Sequence, residues 1–95
     1  KGATVPTEAH LHELAMSART PADHRALEEY YVTVATKNDA AAAEHVTMAG
    51  SYRASARKGA ADPATHCDRM VMLSRDAAKE ARAAAAQHRQ LANVG

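Results

Sequence analysis

The stretch TPADHRALEEYYVTVATKNDAAAAEHVTMAGSYRASARKG (residues 20–59) decides the fold. Thr20 followed by Pro21 is a helix start. A threonine at N-cap offers its hydroxyl to an orphan N–H of the first turn, and proline at the first helical position has no N–H to leave unpaired. Asp23 then falls in the first turn, where the helix dipole favours an acid. No stop signal follows until Gly59, so one helix over 21–58 is expected, with Lys37-Asn38-Asp39 and Gly50 as its soft points.

The apolar pattern within this stretch is a heptad. One set of seam positions is His24, Tyr31, Asn38, His45 and Tyr52; the other is Leu27, Val34, Ala41, Met48 and Ser55. A 3.5-residue seam is the pattern of a helix packed along its length against another.

On the N-terminal side, Pro6-Thr7-Glu8 opens a short first helix over about 7–19, with Leu11, Leu14, Ala15 and Ala18 as its apolar face. On the C-terminal side, Gly59-Ala60-Ala61 reads as a connection. Asp62 caps and Pro63 starts a third helix to about residue 92. The seam expected on that helix is Cys67, Ser74, Ala81 and His88, alternating with Met70, Ala77, Ala84 and Leu91. The fold class is therefore all-α, a short helix plus a long antiparallel helical hairpin in a single domain, 1–95. It is completed as a three-helix bundle or as a dimeric four-helix-type bundle.

Composition constrains the core. The chain has 95 residues, 46% of them hydrophobic, but it has no Phe or Trp and three Tyr, and alanine dominates the apolar fraction. Alanine favours the helix without adding side-chain entropy cost, yet it buries little area. Reinforcement by self-association, by a bound metal, or by both is expected.

A formal charge of +1, from 12 basic and 11 acidic residues, argues against nucleic acid, which selects a basic face with stacking aromatics. Full protonation of the six histidines would raise that charge to +7. One cysteine, Cys67, excludes an intramolecular disulfide. No apolar run reaches the ~20 residues of a membrane span. The lead from Lys1 to Pro6 is compatible with a mature exported, periplasmic chain whose signal was removed.

Chemistry, where it is hinted at, lies in the histidines. Segments of the form H/C-x2-L/M recur at His24, His45, Cys67 and His88, and Thr20-Pro21 and Asp62-Pro63 each place a histidine, His24 or His66, in the next turn. Reflecting the helices through their loops puts His10, Tyr31 and His88 at one level, with His12 half a turn away and His24 about 10 Å along the axis. The same construction gathers His45, Met48 and Met70, with Cys67 farther off. Imidazole suits zinc, copper and nickel, while thioether and thiolate select Cu(I).

Each feature has a plainer reading. His24 and His66 are compatible with first-turn contacts at helix starts, the methionines with gap-filling core, and Cys67 with a small buried hydrophobe. His45 and His88 stand out because they replace apolar residues on a seam, where a buried imidazole needs partners for both nitrogens.

Enzymatic classes fare poorly. A ferritin-like site needs inward glutamates and Glu-x-x-His pairs, and this chain has the reverse order once, at His10 and Glu13. A c-type haem motif is absent, and a b-type haem would lack aromatic walls. A hydrolase built on Cys67 with His45 or His66 would have no oxyanion device.

The function expected is non-enzymatic binding, storage or delivery of copper or zinc. The ligands would be His10, His24 and His88 in one cluster and His45, Met48 and Met70 in a second, with His12, His66, Cys67 and Tyr31 as further candidates. A homo-oligomer is the expected assembly. The competing expectation is a metal-free structural or interaction bundle whose buried histidines set register or respond to pH.

Overall fold

The hydroxyl of Thr20 accepts from the Asp23 N–H at 3.1 Å, and one Asp23 carboxylate oxygen accepts from the backbone N–H of Thr20 at 3.3 Å and of Arg19 at 3.1 Å. This is a capping box closed by an aspartate, with Pro21 inside it and the Thr20 carbonyl taking the His24 N–H at 3.1 Å. The helix that it starts runs without a break. In this computed structural model, which describes residues 8–55 and 61–94, the elements are α1 Glu8–Ser17, α2 Pro21–Ala54 and α3 Ala61–Asn93. Among the described residues there is no strand.

At 34 residues α2 is continuous through Lys37-Asn38-Asp39 and Gly50. Its last described residue, Ser55, is a turn whose N–H still reaches the Ser51 carbonyl at 3.1 Å. The remainder of the expected helix to residue 58 and its stop at Gly59 lie outside the described residues, as does the lead before Glu8. The first helix ends at Ser17, two residues short of the expected boundary, where the Ser17 hydroxyl donates back to the Glu13 carbonyl at 2.8 Å. The third begins at Ala61, two residues earlier than expected. Pro63 therefore sits inside the first turn, where backbone N–H groups have no intrahelical partner to lose.

Helices α2 and α3 pack antiparallel as a hairpin. The chain divides into two compact units. One comprises Lys1–Val34 with Ala81–Gly95 and the other Ala35–Glu80. In the first, the buried apolar residues are Leu11 on α1, Leu27 on α2, and Ala81, Ala85 and Ala92 on α3; Leu27, 1% exposed, is the largest fully buried side chain. In the second they are Ala35, Ala42 and Ala49 from α2 against Ala64, Cys67, Val71 and Ala78 from α3. With one valine and one cysteine among alanines, this unit gains little from bulk. Its helices hold through close approach and summed dispersion contacts.

Half of the expected seam is corrected here. His24, Tyr31, Asn38 and His45 on α2, and Cys67, Ser74, Ala81 and His88 on α3, are buried or half-buried, as the heptad implies, whereas Tyr52, the last member expected on α2, is exposed. In the alternating set Leu27 is buried as expected, but beyond it the set is shifted by one residue, since Ala35, Ala42 and Ala49, and Val71, Ala78, Ala85 and Ala92, are buried. Met48, Ser55, Met70, Ala77 and Leu91 are exposed. Both sets keep the seven-residue spacing, and only the offset between them changes, the seam positions from Tyr31 to Ala49 alternating by four and three residues instead of three and four. In a stripe where neighbours are also alanine, the side chain that minimises interhelical distance enters the interface, not the largest one.

Candidate functional site

The capping box fixes the first turn of α2 and with it His24, whose backbone closes the first intrahelical hydrogen bond. The antiparallel run of α3 brings His88, near its C-terminal end, alongside. The two imidazoles meet through their Nδ1 atoms at 3.1 Å, with ring centroids 5.3 Å apart and planes inclined by 24°. Tyr31 stacks on His88 at 5.7 Å with an interplanar angle of 5°, and Tyr30 meets Tyr31 edge-on at 5.2 Å and 65°. Both histidines are half-buried.

Two bare Nδ1 lone pairs at this distance would repel. A hydrogen bond requires one ring to carry its proton on Nδ1 and donate it to the other. At most one proton can sit between them, so the doubly protonated pair cannot keep the contact. Burial lowers the pKa of His88 below the ordinary imidazole value, and a positive charge on His24 lowers it further. Beside the pair, two backbone N–H groups, from Arg19 and Thr20, hold the Asp23 carboxyl below its usual range.

The structure thus joins His88 and His24, two members of the expected first cluster, although level counting put His10 beside His88 and His24 about 10 Å along the axis. Counting levels through loops positions Cα atoms and leaves out side-chain reach, which decided this contact. His10 and His12 are exposed on α1. His12 lines a cleft between α1 and α2 with Leu11, Met16, Leu27, Tyr30 and Tyr31. Tyr30, not singled out by the sequence reading, belongs to the aromatic wall, and only its adjacency to Tyr31 signalled it.

The residues of the second expected cluster differ in burial. Met48 and Met70 are 43% and 46% exposed, because they fall on the half of the seam that shifted. His45 is half-buried, and its Nδ1 is buried with no hydrogen-bond partner. Cys67 is a buried free thiol and His66 is exposed. Across the hairpin, Arg53 pairs with Asp68 on the surface. Among the described residues no group of three or more His, Cys, Asp or Glu side chains has the arrangement to hold a metal ion. Among the described residues, His24 and His88 are the histidines in direct contact.

No protein-family model matches the chain, and no curated protein or solved structure matches it either. No described helix is long and apolar enough to cross a membrane.

Proposed function

We propose that this chain is a small, non-enzymatic metal-binding helical bundle that holds a copper or zinc ion between Nδ1 of His24 and Nδ1 of His88, for binding, storage or delivery of the metal. The carrying observation is the 3.1 Å separation of the two nitrogens. With metal–nitrogen bonds of about 2.05 Å, two cis ligands stand about 2.9 Å apart at a right angle and about 3.3 Å apart at a tetrahedral angle. The existing separation lies between the two. An ion would take the place of the shared proton, with each ring moved to the tautomer protonated on Nε2. Because the rings must be neutral to ligate, affinity falls in mild acid. The exposed Met48 and Met70 are not part of this site.

Calorimetric titration of Cu(II), Cu(I) and Zn(II) into wild type and His88→Ala tests the proposal. Binding in the wild type that is lost in the variant is expected. Binding no tighter than about 1 mM, or equal binding in the variant, would sink it.

The lowered pKa of His88 and the proton-sharing contact favour one second reading, a metal-free bundle whose polar layer responds to pH. Thermal melts with EDTA and with added metal separate the two. A ligand that binds only the folded state raises the melting temperature, whereas the pH-responsive bundle melts at the same temperature with or without metal.

A further inference from the structure

From the same pair we infer that the site is half of a four-imidazole zinc centre, completed by His24 and His88 of a second copy of this chain. The inference rests on the metal-binding reading and adds the partner. A closed zinc site takes four ligands in a tetrahedron. One chain brings two donors at a suitable bite, and no group of three candidate ligands is assembled among the described residues. A two-fold axis through the ion supplies the missing pair without any new residue type, since an isologous interface presents the same patch twice.

The surroundings of the pair suit that closure. Both rings are half-buried, so the pair retains an open side. Leu91 follows His88 by three residues and so shares its surface of α3, and it is 48% exposed. The H-x2-L segment therefore sets an exposed leucine beside a ligand, which is the composition of a small apolar rim around a metal. A formal charge of +1 per chain gives two copies little to repel with.

The test is zinc titration of the full chain at neutral pH, followed by calorimetry and by light scattering coupled to size exclusion. The expected result is one zinc per two chains and a rise in mass from 10.1 kDa to about twice that, reversed by EDTA. His24→Ala and His88→Ala should each weaken zinc binding by at least roughly 100-fold and abolish the mass change. Helical circular dichroism checks that each variant folds, and the conservative His24→Gln serves if the alanine variants do not.

One zinc per chain with the mass unchanged overturns the two-copy inference and leaves the metal-binding reading standing. So does a one-to-one complex that weakens in His10→Ala, which would make α1 the source of a third ligand. No zinc binding at all overturns the two-copy inference, and the metal-binding reading falls with it when Cu(II) and Cu(I) also fail to bind.

Discussion

The docking of α1 rests on two leucines, and a double-mutant cycle on them measures it. Leu27 is 1% and Leu11 5% exposed, and both line the cleft between α1 and α2. Leu27→Ala removes three buried carbons, worth roughly 2.4 kcal/mol at ~0.8 kcal/mol each. The cavity left behind carries the total into the range of about 2–5 kcal/mol. For a chain of 95 residues, whose total stability is of order 5–14 kcal/mol, that is a large fraction. Leu11→Ala truncates the buried α1 side chain that lines the same cleft. A ten-residue helix has no stability of its own in water, so weakening this contact should release α1 from α2. Once α1 is released by either substitution, the second costs less than it would alone. The cycle should therefore show a coupling of about 1–3 kcal/mol, with the double variant more stable than the sum of the singles implies. Urea unfolding followed at 222 nm gives all four free energies, and a reduced slope in the single variants would report the lost helix. Additivity within about 0.5 kcal/mol, or a loss below about 1 kcal/mol for Leu27→Ala, would refute the reasoning that these leucines dock α1.

Three further outcomes follow. Because the folded-state pKa of His88 lies below the ordinary value of about 6.5, the unfolded chain binds that proton more readily; stability is full above about 6.5 and declines as the pH falls from there toward the lower folded value. Melting temperature measured from pH 8 to pH 5 should fall less steeply in His88→Gln than in wild type, and parallel curves would contradict the assignment. Gly50→Ala meets nothing within 4 Å of the added Cβ and lies inside α2, so it should stabilise by about 0.5–1 kcal/mol, visible as a melting temperature a few degrees higher. His45→Leu removes an imidazole whose buried Nδ1 has no partner, and relief of that desolvation should raise stability by about 1–3 kcal/mol in urea titration; a loss of that size would mean the imidazole is held by a bond it then forfeits.

What the sequence made legible here is what depends on local chemistry. Thr20 and Pro21 announce a helix start through the backbone groups they satisfy or omit, and the structure makes the expected bond to the Thr20 hydroxyl; the return bond from the Thr20 N–H to the Asp23 carboxylate goes beyond the dipole role read for that acid. The polar half of the seam was legible for a related reason. A histidine, an asparagine or a serine at heptad spacing between charged residues has few other places to be, and Asn38, His45, Ser74 and His88 are all half-buried. The alanine half was illegible because Ala41 and Ala42, Ala77 and Ala78, and Ala84 and Ala85 are chemically the same choice in adjacent positions. Only three-dimensional packing selects Ala42, Ala78 and Ala85 as the buried members. The larger residues of the shifted register, Met48, Met70 and Leu91, drew the reading outward by one position. The site shows the same division. That His24 and His88 share a seam is visible in the spacing, whereas their direct contact depends on rotamers and side-chain reach, which no counting of residues contains.

The two imidazoles also occupy an expensive position for such a chain. A core of alanine leaves little surplus stability, and a half-buried pair of imidazoles at a seam displaces apolar side chains that would each add to it. Sharing one proton satisfies one nitrogen on each ring but restricts the pair to a single protonation count, which makes the contact weaken in mild acid. An ion between the same two nitrogens would still require neutral rings but would add bonds that exist only in the folded state, so it would turn this layer into a source of stability. The same substitution therefore has opposite consequences in the two cases. Replacing His24 and His88 together by leucine should stabilise the metal-free protein, because two polar rings give way to apolar packing. In saturating zinc the wild type should be the more stable of the two. A reversal of rank on adding metal, measured in one urea titration series, is the behaviour that neither a purely structural histidine layer nor an adventitious surface ligand would produce.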